Sequence, residues 1–195
     1  MRSALRPPIV LLFVAVAAAA LSAADIKIKT QFNKDFNFVG LNTYAWHPSG
    51  VGEVKMLVVG VGDAAEIRRR IEPIIVQAVE DNLKKLGFTQ TASNQAALLV
   101  NYYALIGTSL SAQEMGQFVP AVPEWGLPPL TGATQSMTSY MTGSLILDMS
   151  SPALGSVVWR GVAEAQVDRL KSDAERQKRL ADAVKQMLKK FPPKK

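Results

Sequence analysis

The chain predicts an α+β fold: a two-layer sandwich in which an antiparallel sheet of four or five strands carries two long helices on one face. Three observations lead there. Residues 143–168 alternate apolar and polar side chains on either side of a turn containing Pro152 and Gly155, which reads as a hairpin. Residues 63–86 and 172–191 repeat apolar side chains at helical spacing. Residues 96–106, AALLVNYYALI, form one long run that is apolar on both faces, as a central strand requires.

Composition narrows the chemistry before any element is placed. The 195 residues carry a net charge of +6, or +4 with Arg2 and Arg6 set aside. That falls short of the basic, aromatic-interleaved stripe of a nucleic-acid binder. There is no cysteine, so disulfides, thiol catalysis, Cys-held metals and a lipid anchor through Cys are excluded. The single histidine, His47, excludes a multi-His zinc site. No metal and no cofactor is expected.

Residues 1–24 have the layout of a secretory signal peptide. Arg2 and Arg6 open it, and Ile9 begins an apolar run that ends at Leu21. The run is shorter than the ~20 residues of a membrane span. Ser22, Ala23 and Ala24 offer a cleavage site near Ala24, leaving residues 25–195 as a single domain that is periplasmic or secreted. The alternative is an uncleaved anchor in the inner membrane.

Ile26, Ile28 and Thr30 then alternate with Lys27, Lys29 and Gln31, a short strand with lysines of the kind that guard a sheet edge. A loop, FNKDFNFVG, carries three phenylalanines; NTYAW follows as a second strand, with Tyr44 and Trp46 facing the core. Residues 48–62 are rich in Gly and Val and read as a flexible or hairpin insertion. Residues 56–65 imitate the strand, G-x-G-x-x-A turn and helix of a dinucleotide site. The acidic residue that should end the next strand is missing from residues 88–91, so no nucleotide is expected.

The first helix has Asp63 as its cap and Gly87 at its end, with Pro73 as an internal conflict read as a kink. After the central strand, residues 107–135 form a long Pro/Gly-rich loop with Phe118 and Trp125. Such a loop either contacts a partner or packs as a flap on its own sheet. The hairpin places Leu145, Leu147, Met149, Val157, Trp159 and Gly161 on one face, with a six-residue connection and Leu147 opposite Trp159. Arg160, Glu164, Tyr103, Asn101 and Gln166 take the other, wetter face. Finally, Ser172 and Glu175 make a capping box for a last helix with Leu180, Val184, Met187, Leu188 and Phe191 along its stripe.

Four segments in order carry a resemblance: Asp35-Phe36 through Asn42-Thr-Tyr-Ala-Trp46; Leu86-Gly87-Phe88 at a helix end; Gly143-Ser-Leu-Ile-Leu-Asp148 followed by Val158-Trp159-Arg160-Gly161; and a closing Lys189-Lys-Phe191-Pro-Pro193. Together they resemble domain-of-unknown-function family 4136, found in bacterial envelope proteins, many of them lipoproteins. The resemblance implies an exported α+β domain with no assigned activity and no catalytic residues to carry over. The expected function is a binding or accessory module in the periplasm, touching an envelope protein or cell-wall component. Phe118, Trp125, Tyr103, Arg160 and Glu164 are its candidate binding residues. The alternative is a periplasmic hydrolase. Against it, Asp148, Glu164 and Asp168 do not converge as a glycosidase pair does, and no G-x-S-x-G elbow is present.

Overall fold

A computed structural model of the chain describes residues 26–56, 63–106, 143–164 and 172–193. Along these segments three strands, a long helix, four strands and a second long helix follow in order. The strands are β1 (Lys27–Phe32), β2 (Thr43–Trp46), β3 (Gly52–Met56), β4 (Thr89–Gln90), β5 (Leu98–Ile106), β6 (Ser144–Ser151) and β7 (Ser156–Glu164). The helices are α1 (Ala64–Lys85) and α2 (Asp173–Leu188).

The sheet runs β1-β7-β6-β5-β2-β4, and β3 also pairs with β5. β1, β7, β6 and β5 are mutually antiparallel, whereas β2 and β3 both run parallel to β5. They share one edge of β5 end to end: β2 covers Leu98 to Val100 and β3 covers Tyr102 to Ile106. The sheet is therefore mixed and has seven strands, not four or five antiparallel ones. Alternation reveals a strand but not its direction, and β3 and β4 are too short to show a pattern. Part of the stretch read as an insertion, residues 52–56, is β3.

β5 is central, as its two apolar faces imply. One face of the sheet, with Leu98, Val100, Tyr102, Leu145, Leu147, Met149 and Trp159, packs against Ile75, Val79 and Leu83 of α1 and Val184, Met187 and Leu188 of α2. Phe38, Phe88, Phe191 and Trp159 close one end, with edge-to-face rings at Phe38–Phe191 and Trp159–Phe191. α2 stops at Leu188, earlier than its apolar stripe implies, yet Phe191 still reaches the core and is 2% exposed.

The helix ends follow their sequence signals. The Asp63 carboxylate accepts from the Ala65 N–H at 2.8 Å. At the other end Gly87 takes φ +86°, which lets Gly87 N–H reach the Lys84 carbonyl and Phe88 N–H reach the Leu83 carbonyl. α1 passes through Pro73 as one helix; Pro73 is exposed, so the carbonyl it leaves without a donor faces water. Ser172 and Glu175 form the capping box of α2, each accepting from the other's backbone N–H.

The hairpin closes more tightly than its sequence implies. Ser151 pairs with Ser156, leaving four residues in the loop, and Gly155 turns the chain at φ +60°. Trp159 lies opposite Met149 and Gly161 opposite Leu147, two residues from the predicted pairing. The even shift keeps Trp159, Arg160 and Gly161 on their predicted faces, whereas Val157, opposite Ser150 on the turn side of the bulge, takes the other face and Val158 joins the helix-side core. A bulge between Met149 and Ser150 makes Val158 the extra residue and restores the phase that the short loop would otherwise invert. Gly161 is obligatory beside the indole: a Cβ there would lie 2.5 Å from Trp159 Cη2. Gly52 leaves the same kind of space for the Tyr102 ring.

Candidate functional site

The hairpin register builds a polar row across the sheet face turned away from the helices. Asn101 of β5 lies opposite Asp148 of β6, Asp148 opposite Arg160 of β7, and Arg160 opposite Gln31 of β1. The Arg160 guanidinium grips the Asp148 carboxylate with both arms, Nε to Oδ1 and a terminal nitrogen to Oδ2, each at 2.6 Å. Both residues are buried, Asp148 fully and Arg160 at 1% exposure. Around them Leu105, Ile146 and Val162 of the same face are buried too. The expectation of a wetter face with a solvated Arg160 does not hold: the ion pair is buried together with the apolar side chains beside it.

The remaining candidates sit around this pair. Tyr103 is half-buried, next along β5 from Asn101 on the same face, and Lys55 of β3 stands over its ring at 5.7 Å. Glu164 is buried at the end of β7, and its Oε1 meets Lys29 Nζ of β1 at 2.5 Å. Its Oε2 is buried without a hydrogen-bond partner. The structure thus brings Tyr103 and Arg160 onto one face about Asp148, with Glu164 farther along it. Phe118, Trp125 and Gln166 lie outside the described residues.

Electrostatics in the row are set by burial first. Removal from water pushes the Asp148 carboxyl above its usual range, and the hydrogen bonds and charge of Arg160 pull it back. Burial also raises the Tyr103 phenol, the Asp148 charge raises it further, and Asn101 and Arg160 oppose this. A carboxylate with both oxygens held by one guanidinium is poorly placed to accept a substrate proton. Among the described residues no three His, Asp or Glu side chains gather to hold a metal. His47 is partly buried, with Nδ1 2.6 Å from Ser49 Oγ.

Sequence reading named Arg160 but missed its partner. The predicted register set Arg160 opposite Ile146, on the same face as Asp148 but two residues from it. Part of the signal was present: Asp148 and Arg160 stand within one residue of equal distances from the turn, a difference the bulge absorbs, and opposite charges directly across a strand pair favour one another.

Comparison with known proteins adds the family. The model described as "Domain of unknown function (DUF4136)" matches residues 28–193. A crystal structure of a DUF4136 family protein from Bacteroides thetaiotaomicron is similar at a TM-score of 0.52 and 18% identity, covering 86% of this chain and 96% of that one. A PDZ domain protein from Parabacteroides distasonis is similar at a TM-score of 0.51 and 14% identity, covering 87% of this chain but 36% of that one. At these identities the likeness is one of fold. No curated protein matches the chain.

Proposed function

Because the chain belongs to the DUF4136 family, a domain of unknown function, we propose that it works by binding rather than by catalysis, as an accessory module of the bacterial cell envelope. Export rests on residues 1–24, whose positive start, apolar run and small-residue end suit a signal peptide. The observation that carries the binding reading is the state of Asp148, the acid at the centre of the sheet face. Both its oxygens are bound by Arg160, so the polar row ties β6 to β7 instead of presenting a reactive group. Tyr103, beside this row, and Phe118 and Trp125, in the stretch between β5 and β6, are the residues proposed to meet the partner.

The test is in-cell photocrosslinking from positions 103 and 125, with mass spectrometry of the mature N-terminus. A discrete crosslinked envelope protein and a terminus near Asp25 are the expected results. Crosslinks confined to the chain itself would make those aromatics structural, and an intact Met1 would defeat cleavage.

A further inference from the structure

We propose that β1 and α2 frame a docking groove for an extended, acidic peptide segment of a partner protein, which adds to the sheet as a further strand. Among the described residues β1 ends the sheet, with β7 as its neighbour on the inner side. Its free side can be read from the hydrogen bonds. Asn33 N–H donates to the Val158 carbonyl at 2.8 Å, and Asn33 lies one step beyond the pairing of Phe32 with Trp159. Backbone groups alternate in direction along an antiparallel strand, so those of Gln31, Lys29 and Lys27 also point to β7. Those of Ile28 and Thr30 then point outward. Lys190 agrees: its Nζ donates to the Ile28 carbonyl at 3.3 Å.

A groove of 610 Å³ lies along this outward side. Its apolar part is Ile26 and Ile28, which pack on the core from the margin. Its other wall is the last turns of α2 and the turn that follows, where Lys185, Lys189 and Lys190 outnumber Asp182. On the opposite face of the strand Lys27 is exposed. An incoming strand would bond the outward groups of Ile28 and Thr30, set alternate side chains into the groove, and meet positive charge on both faces. That field selects the occupant. A second copy of this chain would set lysine against lysine, which is destabilising. A strand bearing Asp or Glu turns the same charges into attraction and steering. Lys29 offers little hindrance, because Glu164 already holds it. The Lys190 bond is long and exposed, and yields to a backbone donor.

The inference rests on the binding-module reading and gives it a second place on the surface. Its test uses the full chain and fluorescein-labelled peptides of alternating valine and glutamate, followed by anisotropy. Saturable binding is expected, weakened on the order of tenfold by Lys189→Glu. The Lys185→Glu/Lys189→Glu protein should instead favour the valine–lysine peptide, with circular dichroism reporting an intact fold for each variant. Methylating alternate backbone nitrogens of the valine–glutamate peptide should abolish binding, since it removes the strand's donors and leaves its charge. The proposal is overturned if the acidic peptide does not bind, if the methylated peptide binds equally well, or if sedimentation shows two copies joined through β1. A partner crosslinked from positions 103 or 125 without any peptide binding at β1 would sink the groove and spare the binding-module reading.

Discussion

Asp148 and Arg160 each supply the counter-charge that the other lost on leaving water, and this makes them unequal to any surface pair. Removing one partner strands a buried charge and costs about 3–5 kcal/mol, whereas replacing both with apolar residues of similar size is near neutral. Asp148→Ala should therefore lower stability by about that amount in urea titrations, and Asp148→Leu/Arg160→Met should recover most of it. A double variant as unstable as the single one would assign the row a role beyond tying strands. The glycine beside Trp159 is tested in the opposite direction, by adding volume. Gly161→Ala presses a methyl group against the indole and should cost about 1–3 kcal/mol, relieved in part by Trp159→Phe. Thermal denaturation of the pair checks it. Both residues show how far sequence reaches at this scale. Trp159 was legible as an inward anchor, because alternation determines a face. The partner of Arg160 was not, because alternation is blind to a register shift of two.

At the scale of elements, the helices were the more legible part. Caps are local chemistry: Asp63, Gly87, Ser172 and Glu175 each act on backbone groups a few residues away. Ser172→Ala should remove the capping box and cost about 0.5–2 kcal/mol, read as a lowered melting temperature with α2 fraying first. Strand direction was less legible, because it is decided by what the chain does between strands. β2 and β3 run parallel to β5 because the chain travels back along α1 before β5 begins, and nothing within NTYAW or GEVKM records that return. The candidate site suffers from the same limit. Tyr103 and Arg160 were placed on the right face, but the burial of that face depends on tertiary packing, which period-2 patterning does not encode.

The whole molecule responds to pH through its buried phenols. Burial, with the Glu80 carboxylate adding to it, pushes Tyr44 up to about 12 from an ordinary value near 10. Tyr102, whose hydroxyl donates to Glu72 at 2.9 Å, is raised as well, first by burial and then by that bond. A folded-state value above the unfolded one means that the folded chain holds the proton more tightly. The associated stability is complete below pH 10 and is lost as pH rises toward about 12. Tyr44→Phe should flatten the fall of unfolding free energy across that range, and a slope identical to wild type would show that Tyr44 is not coupled to folding. A different consequence follows from the pairing of β1 with β7, Lys27 opposite Glu164. β1, the earliest of the described strands to leave the ribosome, can find its neighbour only after β7 has been made. Loop closure over such a distance is slow. Until then β1 is an unpaired ribbon with apolar residues on one side, and a chain cut short before Ser156 would keep it so. Among the described strands the earliest synthesised must wait for the latest, and any agent that keeps the nascent chain soluble must shelter β1 until then.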